Sequence, residues 1–500
     1  MTPTTGRRED FLLIIPPGGY YAERWSRGTL MPPLGVGYVA AALEQAGISS
    51  GILDAHVQSL TVKDIERELR ERRPRIVGVT FTTETRFEGF RTLRTARHAL
   101  PDAFIAAGGP HVSLSAEDTI SHIHEVDAIV RGEGELTSVE LAQRILGGQD
   151  LEGVTGLTHR RGREIVSEND RAPIEQLDSI PFPARHLYPP MRDYNFQFDI
   201  PAHGLKQFGN LMTSRGCPFS CNFCASAVMW GRRCRMRSPE NILAEIEELR
   251  SRYGAQALWF FDDTFNSNPR RVERICNGIL ERGWNMPWFA EIRVDTMSRE
   301  LLAMMKDAGC YCIGFGVESG SQRVLDHVIG KSMNLERVHE VIAWCKELGV
   351  QPNPFFIFSH PTETWEEAQQ TMDMILRYKD FAKISMALLH VYPGTKLEGI
   401  ARQNGTLPPD FSWTDENRKD VRTLPSAQGN VPLFIDKLTW EQISSLLFRW
   451  AQIQDYRLWN KIPKVLRSIR SWNDIKRYAV MGKEFLKVKL SSASRSKQNN

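Results

Sequence analysis

Thr213-Ser-Arg-Gly-Cys217-Pro-Phe-Ser-Cys221-Asn-Phe-Cys224 is the stretch from which the rest of this chain can be read. It follows an apolar run at 208–213 that reads as a strand, and Gly216 and Pro218 mark it as a loop. Three of the eight cysteines crowd into it. In a chain of 500 residues with no export signal, a disulfide framework is not expected, and cysteines serve metal binding or catalysis. Closely spaced thiolates on a loop can wrap a cuboid iron–sulfur cluster. Three ligands leave one iron open, as catalytic metal sites keep a position for a small molecule. The plainer alternative is a structural zinc knuckle, which needs a fourth ligand. None is adjacent, and Cys234 is the nearest candidate. Cys234, Cys276, Cys310, Cys312 and Cys345 fall in apolar or helical patterns and read as small buried hydrophobes.

Downstream of the loop, apolar strands alternate with helical patterns. Including the run before the loop, the strand candidates are 208–213, 257–261, 288–294, 313–317, 353–358 and 385–390. Six such units predict a partial β/α barrel, with chemistry at the C-terminal strand ends. Those ends carry Phe261-Asp-Asp263-Thr-Phe265, Arg293, Gly314-Phe-Gly316-Val-Glu318-Ser-Gly320, Pro361-Thr-Glu363-Thr and Tyr392-Pro-Gly394-Thr395. Gly-x-Gly hints at a dinucleotide fingerprint, but the third glycine is misplaced.

Upstream, a different alternation occupies the first 150 residues. Short apolar strands at 11–15, 51–54, 76–81, 103–107 and 128–131 lack strict alternation, as parallel strands buried on both faces do. Helical patterns such as 36–45 and 62–72 lie between them. The prediction is an α/β doubly wound sheet that binds ligands beyond its carboxyl edge. Residues 153–166 suggest a small hairpin around Arg161-Gly162, and Ile180-Pro181-Phe182-Pro183 is a proline-braced connector. The expected domains are 8–150, a linker at 151–205, the barrel at 206–400, and a mainly helical C-terminal cap with a basic tail at 401–500.

Composition agrees with a folded enzyme: 41% hydrophobic, 25% charged, and a net charge of +3 that argues for no nucleic-acid partner. No apolar run approaches the roughly 18 residues of a membrane span. The run at 11–15 follows Glu9 and Asp10 and stops at Pro16-Pro17, so it reads as a buried strand and not a signal peptide. The expected compartment is the cytoplasm.

C-x3-C-x2-C in this setting resembles the signature of radical S-adenosylmethionine (SAM) enzymes. The resemblance implies a [4Fe–4S] cluster on Cys217, Cys221 and Cys224. Its open iron chelates SAM, which is cleaved to a 5′-deoxyadenosyl radical. It also implies that Glu318 and Ser319 help hold SAM, that Asp262 and Asp263 line the mouth near Arg293, and that Gly316 lets backbone approach a ligand. A turn or cap role is the alternative for each.

The doubly wound domain in front resembles, over residues 8–400, the cobalamin-binding radical SAM family. The markers are Pro33-Leu-Gly35-Val-Gly37-Tyr38, Leu53-Asp54-Ala55, Gly108-Gly109-Pro110-His111 and Gly132-Glu133-Gly134-Glu135. Gly35, Gly108, Gly109, His111 and Glu133 are thereby expected around the corrin, with Thr82 below it. Asp54-Ala-His56 imitates the start of Asp-x-His-x-x-Gly, the motif that gives a histidine to cobalt in some cobalamin proteins. Here position 59 is serine and the match follows the second strand, so His56 is not expected on cobalt.

The implied activity is transfer of a methyl group from SAM, through cobalamin, to an unactivated carbon or phosphorus of a small-molecule or lipid-like substrate. Oxidative cyclisation or ring rearrangement is the rival within the family. A non-catalytic cobalamin sensor is the rival of another class, and the intact cysteine loop argues against it. An electron donor of flavodoxin or ferredoxin type is implied. The basic stretch at 446–490 reads as a cap over the barrel, with peripheral membrane contact as the alternative. Trp440 and Trp450 are further candidates for enclosing the site.

Overall fold

The computed structural model describes residues 9–18, 31–194, 196–200, 203–416, 418–423 and 430–453. The first apolar runs form β1 (Phe11–Ile15), β2 (Ser50–Asp54), β3 (Ile76–Thr80), β4 (Phe104–Gly108) and β5 (Ala128–Val130). They pair in parallel in the order β2-β1-β3-β4-β5, a doubly wound sheet with its switch point between β1 and β3. Alternate residues of β1 serve different cores. Leu12 and Ile14 pack with Val77, Val79 and Phe90, whereas Phe11 and Leu13 pack with Ile52, Ile76 and Leu43. Both faces are covered, so these strands are apolar throughout.

The expected hairpin forms as β6 (Leu157–Arg161) and β7 (Glu164–Ser167), turning on Gly162 at φ +63°. It extends the first sheet, because β6 pairs antiparallel with β5. The second sheet comprises β8 (Gln197–Ile200) and β9 (Gly204–Leu211) and resumes after a small antiparallel pair, β10 (Ser214–Arg215) and β11 (Arg235–Met236). It continues with β12 (Ala257–Phe260), β13 (Trp288–Glu291), β14 (Cys310–Glu318), β15 (Gln351–Phe358) and β16 (Ser385–Leu388). The order is β16-β15-β14-β13-β12-β9-β8, parallel except for the edge strand β8. The arc stays open between the edge strands β16 and β8, which makes the barrel partial.

Helices Pro239–Ser251, Pro269–Glu281, Arg299–Asp307 and Trp365–Tyr378 follow β11, β12, β13 and β15. Each begins with a polar cap: Ser238, Asn268, Ser298 and Thr364 accept the backbone N–H three residues on. Ile246, Ile275, Leu302 and Ile375 from these helices share one core with Leu258, Ala290 and Ile313 from the strands. The helix Trp440–Ile453 adds Ile443 and Leu446 to that core, and its Arg449 donates to Gln369 on Trp365–Tyr378 at 2.5 Å. It therefore joins the outer helical layer. Trp440 and Trp450 do not enclose the mouth. The tail beyond this helix, with Trp459, Trp472 and most of the basic stretch, lies outside the described residues. Among the described residues no helix is long and apolar enough to cross a membrane.

A buried charge group ties the connector to the barrel. Arg185 donates to Glu245 Oε1 at 2.5 Å, and Arg237 donates to Glu245 Oε2. Burial alone would raise the Glu245 carboxyl, but the two guanidinium groups outweigh it and hold it below the usual range. Truncation leaves two buried arginines short of a partner. Glu245→Ala should lower unfolding stability by about 3–5 kcal/mol, whereas the exposed Glu247→Ala should cost under about 1 kcal/mol, read by anaerobic urea titration.

Candidate functional site

The cysteine loop leaves the end of β9 and is pinned there by a carboxylate. Asp262 accepts the Thr213 N–H at 2.6 Å, the Ser214 hydroxyl at 2.8 Å and the Thr213 hydroxyl. Asp262 is buried, so it shapes the loop and does not line the mouth. Arg271 donates to the Thr213 carbonyl at 2.8 Å. Gly216 turns the chain at φ +93°, and a Cβ there would stand 2.5 Å from the Arg233 carbonyl oxygen. Asn222, a mere spacer in the motif, anchors the far side. Its N–H donates to Ile329 O at 3.0 Å, its amide to Val328 O at 2.7 Å, and its carbonyl accepts from Leu397 at 3.0 Å.

Cys217, Cys221 and Cys224 are free, half-buried thiols. Burial pushes Cys224 up to about 11 and raises Cys221, which Lys331 and Arg293 partly oppose. Metal binding at these sulfurs must therefore release protons. Among the described residues no three His, Cys, Asp or Glu side chains converge as ligands of one ion would. The donor set, three soft thiolates on one loop, suits a cluster, whose cysteines bind separate irons. Cys234 stays apart, beside Ser267 at 3.5 Å.

Around this loop the strand ends present charge. Arg293, at the end of β13, lies 3.4 Å from the centre of the Phe219 ring and pairs with Asp295. Asn266 holds its backbone from both sides, at 2.8 and 2.9 Å. Glu318 occupies the left-handed region at φ +69° and binds Lys331 at 2.6 Å. A side chain at Gly316 would run into that ion pair, so the glycine makes room for Glu318 and Lys331. Asp263 is exposed and accepts from Ser226 at 2.5 Å. Ser319 points elsewhere. It is fully buried, 3.3 Å from Thr371 on the helix Trp365–Tyr378. The sequence reading passed over Glu291, the last residue of β13. Burial, then the charges of Asp263 and Glu318, push its carboxyl up to about 7. Its only signal was one acid in an otherwise apolar strand.

Both domains line a largely apolar cavity of about 430 Å³ at the carboxyl edge of the first sheet. Gly35, Thr82, Gly108, Gly109 and Glu133 line it, as do His56, Arg215, Met229 and Trp230. Nothing stands within 4 Å of a Cβ placed on Gly35, and only Val130 touches one placed on Gly108, so these glycines leave a cradle open to a flat ligand. His111 is not part of it. Its ring is buried between Phe81, Phe90 and Trp413, with Nδ1 3.1 Å from Thr83 Oγ1. Glu133 serves two purposes. It faces the cavity, and it forms ion pairs with Arg215 at 3.2 Å and Arg235 at 2.8 Å. Arg215 also binds Glu135 at 2.5 Å. The Thr82 loop meets the barrel as well, where Tyr392 donates to Glu84 at 2.8 Å.

Residues 25–142 match the B12 binding domain, and residues 211–375 match the Radical SAM superfamily. An uncharacterized methyltransferase of Pyrococcus horikoshii is 35% identical, over 91% of this chain and 93% of that one. The chain belongs to the cobalamin-dependent radical SAM methyltransferase family. Its cofactors are accordingly cobalamin, a [4Fe–4S] cluster and SAM. The cytidylyl-2-hydroxyethylphosphonate methyltransferase of Streptomyces wedmorensis is 28% identical over 74% of this chain and 78% of its own. The fold is shared with the radical SAM methyltransferase TsrM of Kitasatospora setae, solved with cobalamin and a [4Fe–4S] cluster. The TM-score is 0.66 at 19% identity, covering 85% of this chain and 81% of that one.

Two outcomes follow from the buried charges. Arg215→Ala leaves Glu135 buried without its cation, so stability should fall by about 3–5 kcal/mol, with less corrin retained per chain by absorbance. Glu363 is buried just past the turn that follows β15, and burial raises its carboxyl from 4.5 to about 7. The stability due to its protonated form is complete below about pH 4.5 and is lost as pH rises through 7. Glu363→Gln should abolish that slope and exceed the parent by about 2–3 kcal/mol at pH 8, measured as unfolding midpoints at pH 5 and 8.

Proposed function

We propose that this protein uses cobalamin and SAM to methylate an unactivated carbon, or a phosphorus, of a small-molecule or lipid-like substrate. The observation that carries the proposal is one segment, the cysteine loop, forming part of both sites. Its sulfurs face the strand ends of the barrel mouth, and Arg215, Met229 and Trp230 around it wall the glycine-floored cavity of the first domain. The similarity to two methyltransferases supports transfer of a methyl group as the outcome.

When bound, the cluster and SAM supply a radical that abstracts hydrogen, and cobalamin supplies the methyl group. The chain's own residues place those groups. Cys217, Cys221 and Cys224 would ligate three irons. Asn222 and Asp262 keep the loop rigid, so the thiols are presented in a fixed arrangement. The Arg293 guanidinium and the Lys331 ammonium offer cations to the carboxylate of SAM, and Asp263 and Glu291 offer carboxylates to its amino group. Gly35 and Gly108 would admit the corrin, while Gly109, at φ +97°, serves the turn beside Thr80 and Phe81.

The test is the product balance of the reconstituted enzyme. Equal yields of S-adenosylhomocysteine and 5′-deoxyadenosine, with a methylated product, are expected. Deoxyadenosine with an unmethylated product would refute methyl transfer. Cys221→Ala should abolish turnover and lower iron below four per chain while corrin content stays unchanged. Turnover surviving that substitution would overturn the ligand assignment.

A further inference from the structure

Tyr392, just past β16, reaches out of the barrel and donates to Glu84 of the first domain at 2.8 Å. Glu84 belongs to the loop that follows β3, and its neighbours Thr82 and Thr85 line the cavity assigned to cobalamin. The loop closes on itself. Thr85 Oγ1 accepts the Thr82 N–H at 3.1 Å, and Thr82 O accepts the Thr85 N–H at 3.2 Å. Arg86 then ties the loop to the C-terminal region. Its buried guanidinium donates to Thr83 O at 2.6 Å, Asn430 O at 2.9 Å and Trp413 O at 3.0 Å. A loop bonded in this way moves as one piece, so a shift at Glu84 is also a shift of Thr82 and Thr85.

The barrel side of the contact is fixed as well. Tyr392 O accepts the Thr395 hydroxyl at 2.8 Å, and the Thr395 side chain caps the helix Lys396–Gln403. Leu397 of that helix donates to Asn222 O, between Cys221 and Cys224, at 3.0 Å. A short chain of bonds therefore runs from the cavity wall to the cysteine loop. Burial first, and then the Glu84 charge, raise the Tyr392 hydroxyl, so it stays protonated and remains a donor. A hydrogen bond to a carboxylate is stronger than one between neutral groups.

Position makes this contact more than a seam between domains. Arg215 leaves β9 and Tyr392 leaves β16, the outermost parallel strands of the arc. The first domain receives them beyond the ends of β5 and β3, with β4 in between, two strand spacings or about 10 Å apart. The first domain thus spans the mouth from one end of the arc to the other. One tie fixes a distance but leaves rotation about it, whereas two ties also fix an angle. We propose that Tyr392 is a positioning residue for methyl transfer, which through Glu84 sets the tilt of the cavity-lining loop over the barrel mouth. Groups that react across two domains depend on such geometry, and a misplacement of about 1 Å can cost roughly a hundredfold in rate. The assignment rests on the proposed transfer between the two sites.

The test uses the enzyme reconstituted anaerobically with iron, sulfide and cobalamin, and has two readouts that need no substrate. One is the rate at which bound cobalamin is lost on dilution, followed by absorbance. The other is the magnetic coupling between the reduced cluster and cob(II)alamin, whose size and spread report their separation and angle by electron paramagnetic resonance. Tyr392→Phe should speed corrin loss about tenfold, the scale of one hydrogen bond to a charged group, and should shift or broaden the coupling. Glu84→Leu breaks the same bond from the other side and should behave alike if the phenylalanine variant does not fold. Glu84→Gln keeps an acceptor and should bring corrin loss back to within about threefold of wild type, with the wild-type coupling. Ser412→Ala removes a different bond to the first domain, to Asp118 at 2.8 Å and outside the cavity wall, and should change neither readout. An unchanged coupling in Tyr392→Phe and Glu84→Leu, or an equal change in Ser412→Ala, would overturn the assignment. Failure of the product balance described above would overturn the proposed function instead and would leave both readouts in place.

Discussion

Arg215 is the constraint on which the rest of the molecule depends. It stands two residues before Cys217, yet its guanidinium group is buried against Glu133 and Glu135 of the other domain. Burial would lower its pKa, but the two carboxylates outweigh that and raise it. Tyr38 and Trp230 cover its faces at 5.1 and 5.4 Å. Charges so desolvated are costly to separate, because each would remain in apolar surroundings without its partner. The first domain and the cysteine loop therefore dock in one register, because any other would leave one of these charges buried and unpaired. The Gly132-Glu133-Gly134-Glu135 marker is as much a dock for the barrel as a wall of the cavity.

Within the barrel, most buried polar side chains serve backbone. Asp262, Asn222, Asn266 and Glu363 each bind main-chain groups at a strand end or in the cysteine loop. Strand ends leave N–H and C=O groups that the sheet no longer pairs, and a buried mouth cannot leave them to water. Side chains that satisfy them also fix the loops rigidly. What remains to face a ligand is a short set: Asp263, Glu291, Arg293 and the Lys331–Glu318 pair.

This division explains what was legible in the sequence. The strands of both sheets were readable because parallel strands buried on two faces are short apolar runs, and the cysteine loop because its ligands are local in sequence. Direction at a strand end was not readable. Asp262 and Asp263 are neighbours, and consecutive residues of an extended chain face opposite ways, so one is buried under the loop and the other is exposed. Ser319 follows Glu318, whose left-handed backbone swings the chain so that Ser319 turns into the helix behind it. His111 belongs to a glycine-rich marker, but the helix Pro110–Leu114 starts at once and carries its ring into an aromatic nest away from the cavity. Asn222 and Glu291 carried no pattern, because the groups around them lie far away in sequence.

The stretch from Cys217 to Trp230 also explains how two separate domains can serve one reaction. Cys217, Cys221 and Cys224 open it, and the helix Ser226–Met229 closes it. Ser226 binds Asp263 at the barrel mouth, while Met229 and the following Trp230 stand in the wall of the first domain's cavity. The separation between thiols and cavity is thus set by a few covalently linked residues, braced on the barrel by Asn222 and on the first domain through Arg215. Domain docking alone would leave that separation to weak surface contacts, whose small energies allow relative motion. A continuous segment pinned at both ends removes that freedom, and reactive groups held in fixed relation need no further ordering before reaction.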